Sequence, residues 1–410
     1  MKTKVTLEAM TTANGYINYL YEEQIKNMKE ISGKLGSICY MNDSYSEIKI
    51  ENREKSIKRY ERIISNGHHS IADHCYVTLV FENISKMQAM ILNSLQCYNT
   101  SEKSARYTVF DNNTEQEDFL YNKWKKYIVE NNNKLPGLNI EDKNKLDKIA
   151  NENARYFLSV FNKSTTMAYT TSVRQLNYLI NWLDNMTDID NKTKFNTLLF
   201  KDIKELSELI RSSNIPFFHI EDNKNRHISF LSKQTKDISL SYIKDSFGPT
   251  YNTIYKASFA QLAQAQRHRT LKYHMIYDGS KNKEEYFVPA FLQDEEIINE
   301  WISDMKTIDY PQGLLVDVVE LGTLENFLLK CKERLCYRAQ VEICKQTAKT
   351  LIKYCENYLY TFDSHDIIVE ELEKYVDLAY GEFKVKPKCS ILKGCKETCG
   401  HCKDFLDRTY

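Results

Sequence analysis

The sequence predicts a mixed α/β (α+β) protein with more than one domain, and three observations lead there. The chain has only 12 Gly and 6 Pro in 410 residues, too few for a turn-rich all-β domain and suited to long helices joined by polar connections. Around Gly67 the apolar periodicity switches from helical spacing to alternation, so strands are interleaved with helices. A pattern also repeats: residues 88–107 and 261–280 align without a gap as an apolar helical segment, a triplet and an extended tail. A chain this long exceeds one typical hydrophobic core.

Composition narrows the function classes. With 56 basic and 56 acidic residues the formal charge is zero, so nothing global favours a nucleic acid or a membrane surface as partner, and charge must act locally. No apolar run reaches the ~18 residues of a membrane span. Met1-Lys2-Thr3-Lys4-Val5 opens no apolar signal segment, and a cytoplasmic protein is expected. Of 11 cysteines, Cys39, Cys75, Cys97, Cys331, Cys336, Cys344 and Cys355 are scattered through apolar surroundings and read as reduced core residues.

Along the chain, residues 6–33 read as helical. Residues 52–65 form a second helix, with Ile57, Tyr60, Ile63 and Ile64 at helical spacing before Gly67 breaks it. Residues 68–81 read as a loop leading into a strand, and 111–150 as a charged, Asn-rich connection, helical in part. Residues 211–237 look like a joint, followed by strand-like 238–243 and a Phe247-Gly248-Pro249-Thr250 turn. One long helix is expected over 324–352, burying Leu324, Phe327, Leu328, Cys331 and Leu335 as a stripe.

The run from Tyr255 reads as a helix ending in Gln264-Ala265-Gln266-Arg267-His268-Arg269. On a helix Gln264, Arg267 and His268 fall at i, i+3 and i+4, so an amide, a guanidinium and an imidazole share one face. Such a face suits an anion, a phosphate above all; taken alone, it equally fits a solvated basic helix end. In the first copy the triplet is Ser94-Leu95-Gln96, without the basic group, but the tail sets Glu102, Ser104 and Arg106 at alternate positions, which project to one side of an extended chain. Each copy holds the half that the other lacks.

The combined pattern, Arg-His-Arg and then Ser-x-Arg-Tyr, resembles the signature of the flavin-dependent thymidylate synthases, the ThyX family. Gly67-His68-His69-Ser70-Ile71-Ala72-Asp73-His74 and the strand-like Tyr76 to Phe81 are similar to the family's Gly-His loop and strand, with Asp73 in place of Glu. The resemblance spans residues 30–350 and implies two fused ThyX-like domains, 1–212 and 213–385, each a helical layer packed on an antiparallel sheet, followed by a Cys-rich tail, 386–410.

By the resemblance, Gln264, Arg267, Glu102, Ser104, Arg106 and Arg155 bind dUMP, and Arg334, beside the uracil ring, is the catalytic residue. Arg267, His268, Arg269, His74, Thr78 and Arg174 bind FAD. Read alone, His74 also fits a hydrogen-bonded strand residue, and Arg155 and Arg174 fit snorkelling positions on amphipathic helices. The implied reaction is reductive methylation of dUMP to dTMP, with methylenetetrahydrofolate as carbon donor and NADPH as reductant, at one composite site per pair of copies. The family homotetramer implies a homodimer of the fused chain.

Departures from the family are Ser172 for Asn, Leu183 for the catalytic Arg of the first copy and Glu325 for a flavin-binding Arg. Lys272, His274, Met275, Tyr277 and Gly279 replace the second copy's tail set. They leave open a flavin-dependent hydroxymethylase acting on pyrimidine nucleotides and a catalytically silent nucleotide-binding paralogue.

The tail places Cys389, Cys395, Cys399 and Cys402, with His401, within 14 residues. Four soft ligands in a cytosolic segment favour Zn²⁺ or an iron–sulfur centre over disulfides, with unliganded thiols as the remaining reading.

Overall fold

The computed structural model describes residues 22–39, 41–94, 97–104, 108, 112–186, 192–213, 215–218, 220, 230–231, 244–277, 279, 284–358, 367–379, 381–391 and 405–410. The chain divides into two compact units. The smaller comprises Met1–Val77, Thr171–Asp184 and Glu205–Asn223, and the larger Thr78–Thr170, Asn185–Lys204 and Lys224–Tyr410. This division follows compactness and cuts across the two copies expected from the repeat.

Helix α1 (Glu22–Ser37) is joined through α2 (Tyr45–Lys49) to α3 (Arg53–Ser65). In α3 the Asn52 side chain caps the Lys55 amide, and Tyr60, Ile63 and Ile64 are buried at helical spacing. Gly33 lets α1 and α3 approach closely, since a Cβ there would lie 2.1 Å from the Ser56 carbonyl oxygen. Gly67 ends this region at φ +81°, a conformation that costs any L side chain ~1–2 kcal/mol.

Strand β1 (Tyr76–Ser85), α4 (Lys86–Leu92) and β2 (Tyr98–Glu102) follow. Ser85 caps α4 with a reciprocal bond to Gln88, and Met87 to Leu92 are all buried. Next come α5 (Glu115–Glu130) and α6 (Lys143–Ala154), which meet the expectation for the Asn-rich connection. Trp124 stacks on Phe157 at 5.8 Å and meets Trp301 edge-on at 4.8 Å. Strand β3 (Lys163–Ser172), α7 (Val173–Asn185) and α8 (Lys194–Arg211) close this part of the chain. The sheet order is β1-β3-β2.

The same sequence of elements then recurs: β4 (Thr250–Ser258), α9 (Phe259–Ala265), β5 (Lys272–Ile276), the intervening helix α10 (Glu295–Lys306), β6 (Leu315–Thr323) and α11 (Leu324–Arg334). The sheet order is β4-β6-β5, equivalent to the first, and both pairings are antiparallel, with Thr250 opposite Thr323 and Ile276 opposite Asp317. Ser258 caps α9 as Ser85 caps α4.

The expected helix over 324–352 is two helices. Helix α11 stops at Arg334, and α12 (Val341–Tyr358) starts after a six-residue connection. Leu324, Phe327, Leu328, Cys331 and Leu335 are buried as the stripe required, each large side chain contributing about 1.5–3 kcal/mol. Beyond lie α13 (Ile367–Glu373), β7 (Val376–Ala379), β8 (Glu382–Val385) and α14 (Lys388–Ile391).

The fold is thus α+β, with small antiparallel sheets among helices. No described helix is long and apolar enough to cross a membrane. Residues 6–21 and the expected strand 238–243 lie outside the described residues. Among the scattered cysteines, Cys75, Cys331, Cys344 and Cys355 are buried, whereas Cys39 and Cys97 are exposed and so are not core residues.

Candidate functional site

The run expected to be one helix from Tyr255 to Arg269 is a strand, a short helix and a turn. Alternating Tyr251, Thr253, Tyr255 and Ala257 face the interior of β4, and Ser258 then starts α9, which ends at Ala265. Gln264 therefore sits in the last helical turn, while Arg267 and His268 lie beyond it. Turn bonds still gather them: the Arg267 amide donates to the Gln264 carbonyl at 3.2 Å and the His268 amide to that of Ala265 at 2.9 Å.

His268 is half-buried, and its Nε2 accepts from Arg334 Nε at 2.7 Å. Only a neutral imidazole can accept there. Burial, then the positive charges of Arg334 and Lys330, push its pKa down to about 2. Arg334 also donates to the Gln264 carbonyl at 3.4 Å. The Gln264 side-chain amide donates to Gln340 Oε1, and Gln340 donates to the Tyr156 hydroxyl at 2.5 Å. Tyr156 in turn donates to Glu342 at 2.9 Å. Burial raises the Glu342 carboxyl pKa against the opposing bonds from Ser258.

One helical turn before Arg334 on α11, Lys330 is fully buried and donates to fully buried Glu320 at 2.6 Å. The hydroxyls of Tyr251 and Tyr255 donate to the same carboxylate at 2.7 and 2.6 Å. This charge-bearing core places a fixed cation near His268.

The turn reaches the tail of the first copy. Arg267 Nη2 donates to the Thr100 carbonyl at 3.2 Å, and Arg269 Nη1 to the Tyr98 carbonyl and to Asn99 Oδ1, the latter at 2.7 Å. Arg269 also lies 5.4 Å from the centre of the Tyr98 ring, which stacks on Tyr169. Two residues past Thr100, Glu102 accepts from Lys86 at 2.5 Å and Asn93 at 3.3 Å. Strand β2 ends there, so Ser104 lies beyond the strand, and Arg106 lies outside the described residues.

Arg155 follows α6 and is 8% exposed, yet its Nε and Nη2 are buried without a hydrogen-bond partner among the described residues. A desolvated guanidinium with spare donors is costly unless an anion meets it. Its guanidinium lies 5.8 Å from the Tyr156 ring centre.

In the smaller unit, Asp73 accepts from Ser172 Oγ and Arg174 Nη1, both at 2.6 Å. Arg174 Nε is buried without a partner among the described residues. His74 is exposed. His69 packs on Phe218 at 4.8 Å, and burial followed by Arg174 lowers its pKa. In the larger unit, Thr78 is exposed and its hydroxyl bonds that of Thr170 at 2.8 Å.

The larger unit thus brings together Gln264, Arg267, His268, Arg269 and Arg334. Sequence reasoning passed over Lys86, Tyr156, Glu320 and Lys330. Lys330 was within reach, because it lies four residues before Arg334 on the predicted helix. In the larger unit the spare donors of Arg155 and the exposed Arg267 suit phosphate oxygens, and in the smaller unit Arg174 Nε does so too, so the residues present in each fit a phosphate-bearing ligand or cofactor.

In a comparison with protein families, residues 22–185 match the family of thymidylate synthase complementing protein, Thy1. Over this stretch, less than half of its length, the chain is similar to the Thy1 family. Thy1, or ThyX, is the family of the flavin-dependent thymidylate synthases, which points to a function of that kind. The matched stretch contains His74, Thr78, Glu102, Ser104, Arg106, Arg155 and Arg174; Gln264 to Arg269 and Arg334 lie outside it. No curated protein matches the chain.

For the tail, Cys389 is disulfide-bonded, and Cys395, Cys399 and Cys402 lie outside the described residues. Among the described residues no group of His, Cys, Asp and Glu side chains is arranged to hold a metal ion.

Proposed function

We propose that the chain is an FAD-dependent thymidylate synthase converting dUMP to dTMP, built from two divergent Thy1 copies that share one nucleotide site. The observation that carries this reading is the contact of Arg267 and Arg269 with the backbone of β2, the strand leading to Glu102, Ser104 and Arg106. Two arginines of the second copy's half-set bond the strand that carries Glu102 of the first copy's half-set, which supports the reading. The duplication is supported by the equal sheet orders and by the cap serines Ser85 and Ser258 at equivalent positions.

Arg155, Arg267 and Arg106 would take the phosphate dianion, each charge-assisted bond being roughly twice as strong as a neutral one. Gln264 and Ser104 would fix the nucleotide's orientation, and Glu102 would do so from its bond to Lys86. Arg334 would sit by the pyrimidine carbonyls and stabilise negative charge as it develops, so that C5 can attack the folate-borne methylene carbon without a cysteine nucleophile. The carbon–carbon bond forms as the methylene–nitrogen bond of the folate breaks and tetrahydrofolate leaves, the C5 proton is lost, and a hydride equivalent that originates from NADPH completes the methyl group. His268 stays neutral and holds Arg334 in place.

In the larger unit Arg267, His268, Arg269 and Thr78 would hold FAD, and in the smaller unit the resemblance nominates His74 and Arg174. When bound, FAD passes the reducing equivalents from NADPH to the nucleotide. A homodimer of this chain would supply the four copies of the family assembly.

The test is the absorption spectrum of the purified protein before and after dUMP is added. A flavin spectrum that shifts with dUMP is expected. A colourless protein that cannot take up FAD when supplied would overturn the enzyme reading.

A further inference from the structure

The connection between α11 and α12 carries the site at both ends. Arg334 precedes it and bonds His268, while Gln340 closes it and bonds Gln264 and Tyr156. The break between two helices leaves carbonyls without helical partners, and those must be met elsewhere. Two of them are met from residues 405–410. The buried guanidinium of Arg408 donates Nη1 to the Tyr337 carbonyl and Nη2 to the Ala339 carbonyl, the second at 2.6 Å. It also lies 5.2 Å from the Tyr337 ring centre.

The neighbours of Arg408 are fastened independently. Thr409 Oγ1 donates to the Pro136 carbonyl at 2.6 Å, and a Cβ on Gly137 would come within 2.5 Å of that hydroxyl, so the seat is closely fitted. The Tyr410 hydroxyl bonds that of Tyr337, and Lys145 lies 5.4 and 5.6 Å from the two ring centres. On the other side, the Lys388 amide donates to the Leu335 carbonyl at 2.6 Å.

We infer that Arg408 is a positioning residue for the nucleotide site: its fork pins the Tyr337 and Ala339 carbonyls and so sets Arg334 and Gln340 at once. This role lies outside the stretch that matches the Thy1 family, and its catalytic consequence rests on the function proposed above. A planar fork with two parallel donors suits two carbonyls two residues apart, whereas an ammonium is a single point of charge.

The test uses the full chain with Arg408→Ala, Arg408→Lys and Thr409→Ala, followed by amide hydrogen exchange across residues 335–340 and calorimetric titration with dUMP. Arg408→Ala is expected to speed exchange in this connection and weaken dUMP about tenfold, the effect of losing charge-assisted bonds. Arg408→Lys should fall between it and the parent, and Thr409→Ala should leave both readouts unchanged. In a Gln340→Ala background, Arg408→Ala should add little, because both act through one connection.

Unchanged exchange, or full additivity with Gln340→Ala, overturns the inference. If Arg408→Ala does not fold, Arg408→Lys decides by the same two readouts. A parent protein that fails to bind dUMP counts against the proposed function, while exchange in the variants still decides the role of Arg408.

Discussion

The two three-stranded modules share a sheet order and a cap serine but bury different chemistry. In the first, the last strand and its helix bury Tyr169, Leu179 and Leu183; the matching positions of the second hold Glu320, Lys330 and Arg334. One backbone frame thus carries an apolar interior in one case and an ion pair with two tyrosine donors in the other. A buried pair rarely stabilises a fold relative to apolar residues of the same volume. Its evident effect is local: burial first, and then the charges of Arg334 and Lys330, keep His268 neutral, so that His268 accepts a bond from Arg334. The ion pair beneath α11 supports the site, and the first module supplies the strand that the site's arginines bond.

The largest effect expected from this contrast is on stability. Lys330→Met strands the Glu320 carboxylate and should cost ~3–5 kcal/mol, whereas Leu179→Met at the matching position should cost less than ~1.5 kcal/mol. Denaturant titration reads both, and equal losses would show that the two interiors do the same work.

Next in size is the division of labour over the nucleotide. Arg267→Ala and Arg155→Ala should each weaken dUMP about a hundredfold, since both remove a charge-assisted donor. Ser94→Arg should restore nothing by itself, because the tail it would need is replaced by Met275, Tyr277 and Gly279. Binding that survives either alanine variant would break the composite site.

The smallest effect is in pH dependence. The folded pKa of His268, about 2, is below its ordinary 6.5, so an unfolded chain takes up a proton that the folded chain refuses. Its stabilising contribution is complete above pH 6.5 and lost as pH falls towards the folded value. Glu342, with a raised pKa, acts in the opposite sense, favouring the folded state as pH falls. Comparing the parent with His268→Gln isolates the histidine: the variant should lose less melting temperature between pH 7.5 and pH 5. Parallel curves would mean that His268 has the same pKa in the folded and the unfolded chain.

Part of the site was legible because it is written in local order. The repeat of residues 88–107 and 261–280 reads as an apolar helical segment, a triplet and an extended tail, and α4 with β2 and α9 with β5 follow that order. The buried stripe on α11 followed from periodicity alone. The helix proposed from Tyr255 failed because its residues fit both periods, and the β6 ladder decided in favour of a strand as far as Ser258. The single helix over 324–352 failed because helix-compatible composition does not reveal a break whose carbonyls are met by Arg408 from far along the chain.

By itself, the sequence determined the α+β class, the Thy1 resemblance and the identities of the arginines, since spacing and residue type are local quantities. The tertiary structure alone decided which donors are already engaged and which remain open. Arg269 turns to the backbone of β2 and Arg174 to Asp73, while Arg155 keeps two buried donors without partners among the described residues. That distinction depends on groups distant in sequence competing for the same hydrogen bonds in a medium without water, and no local pattern records the outcome.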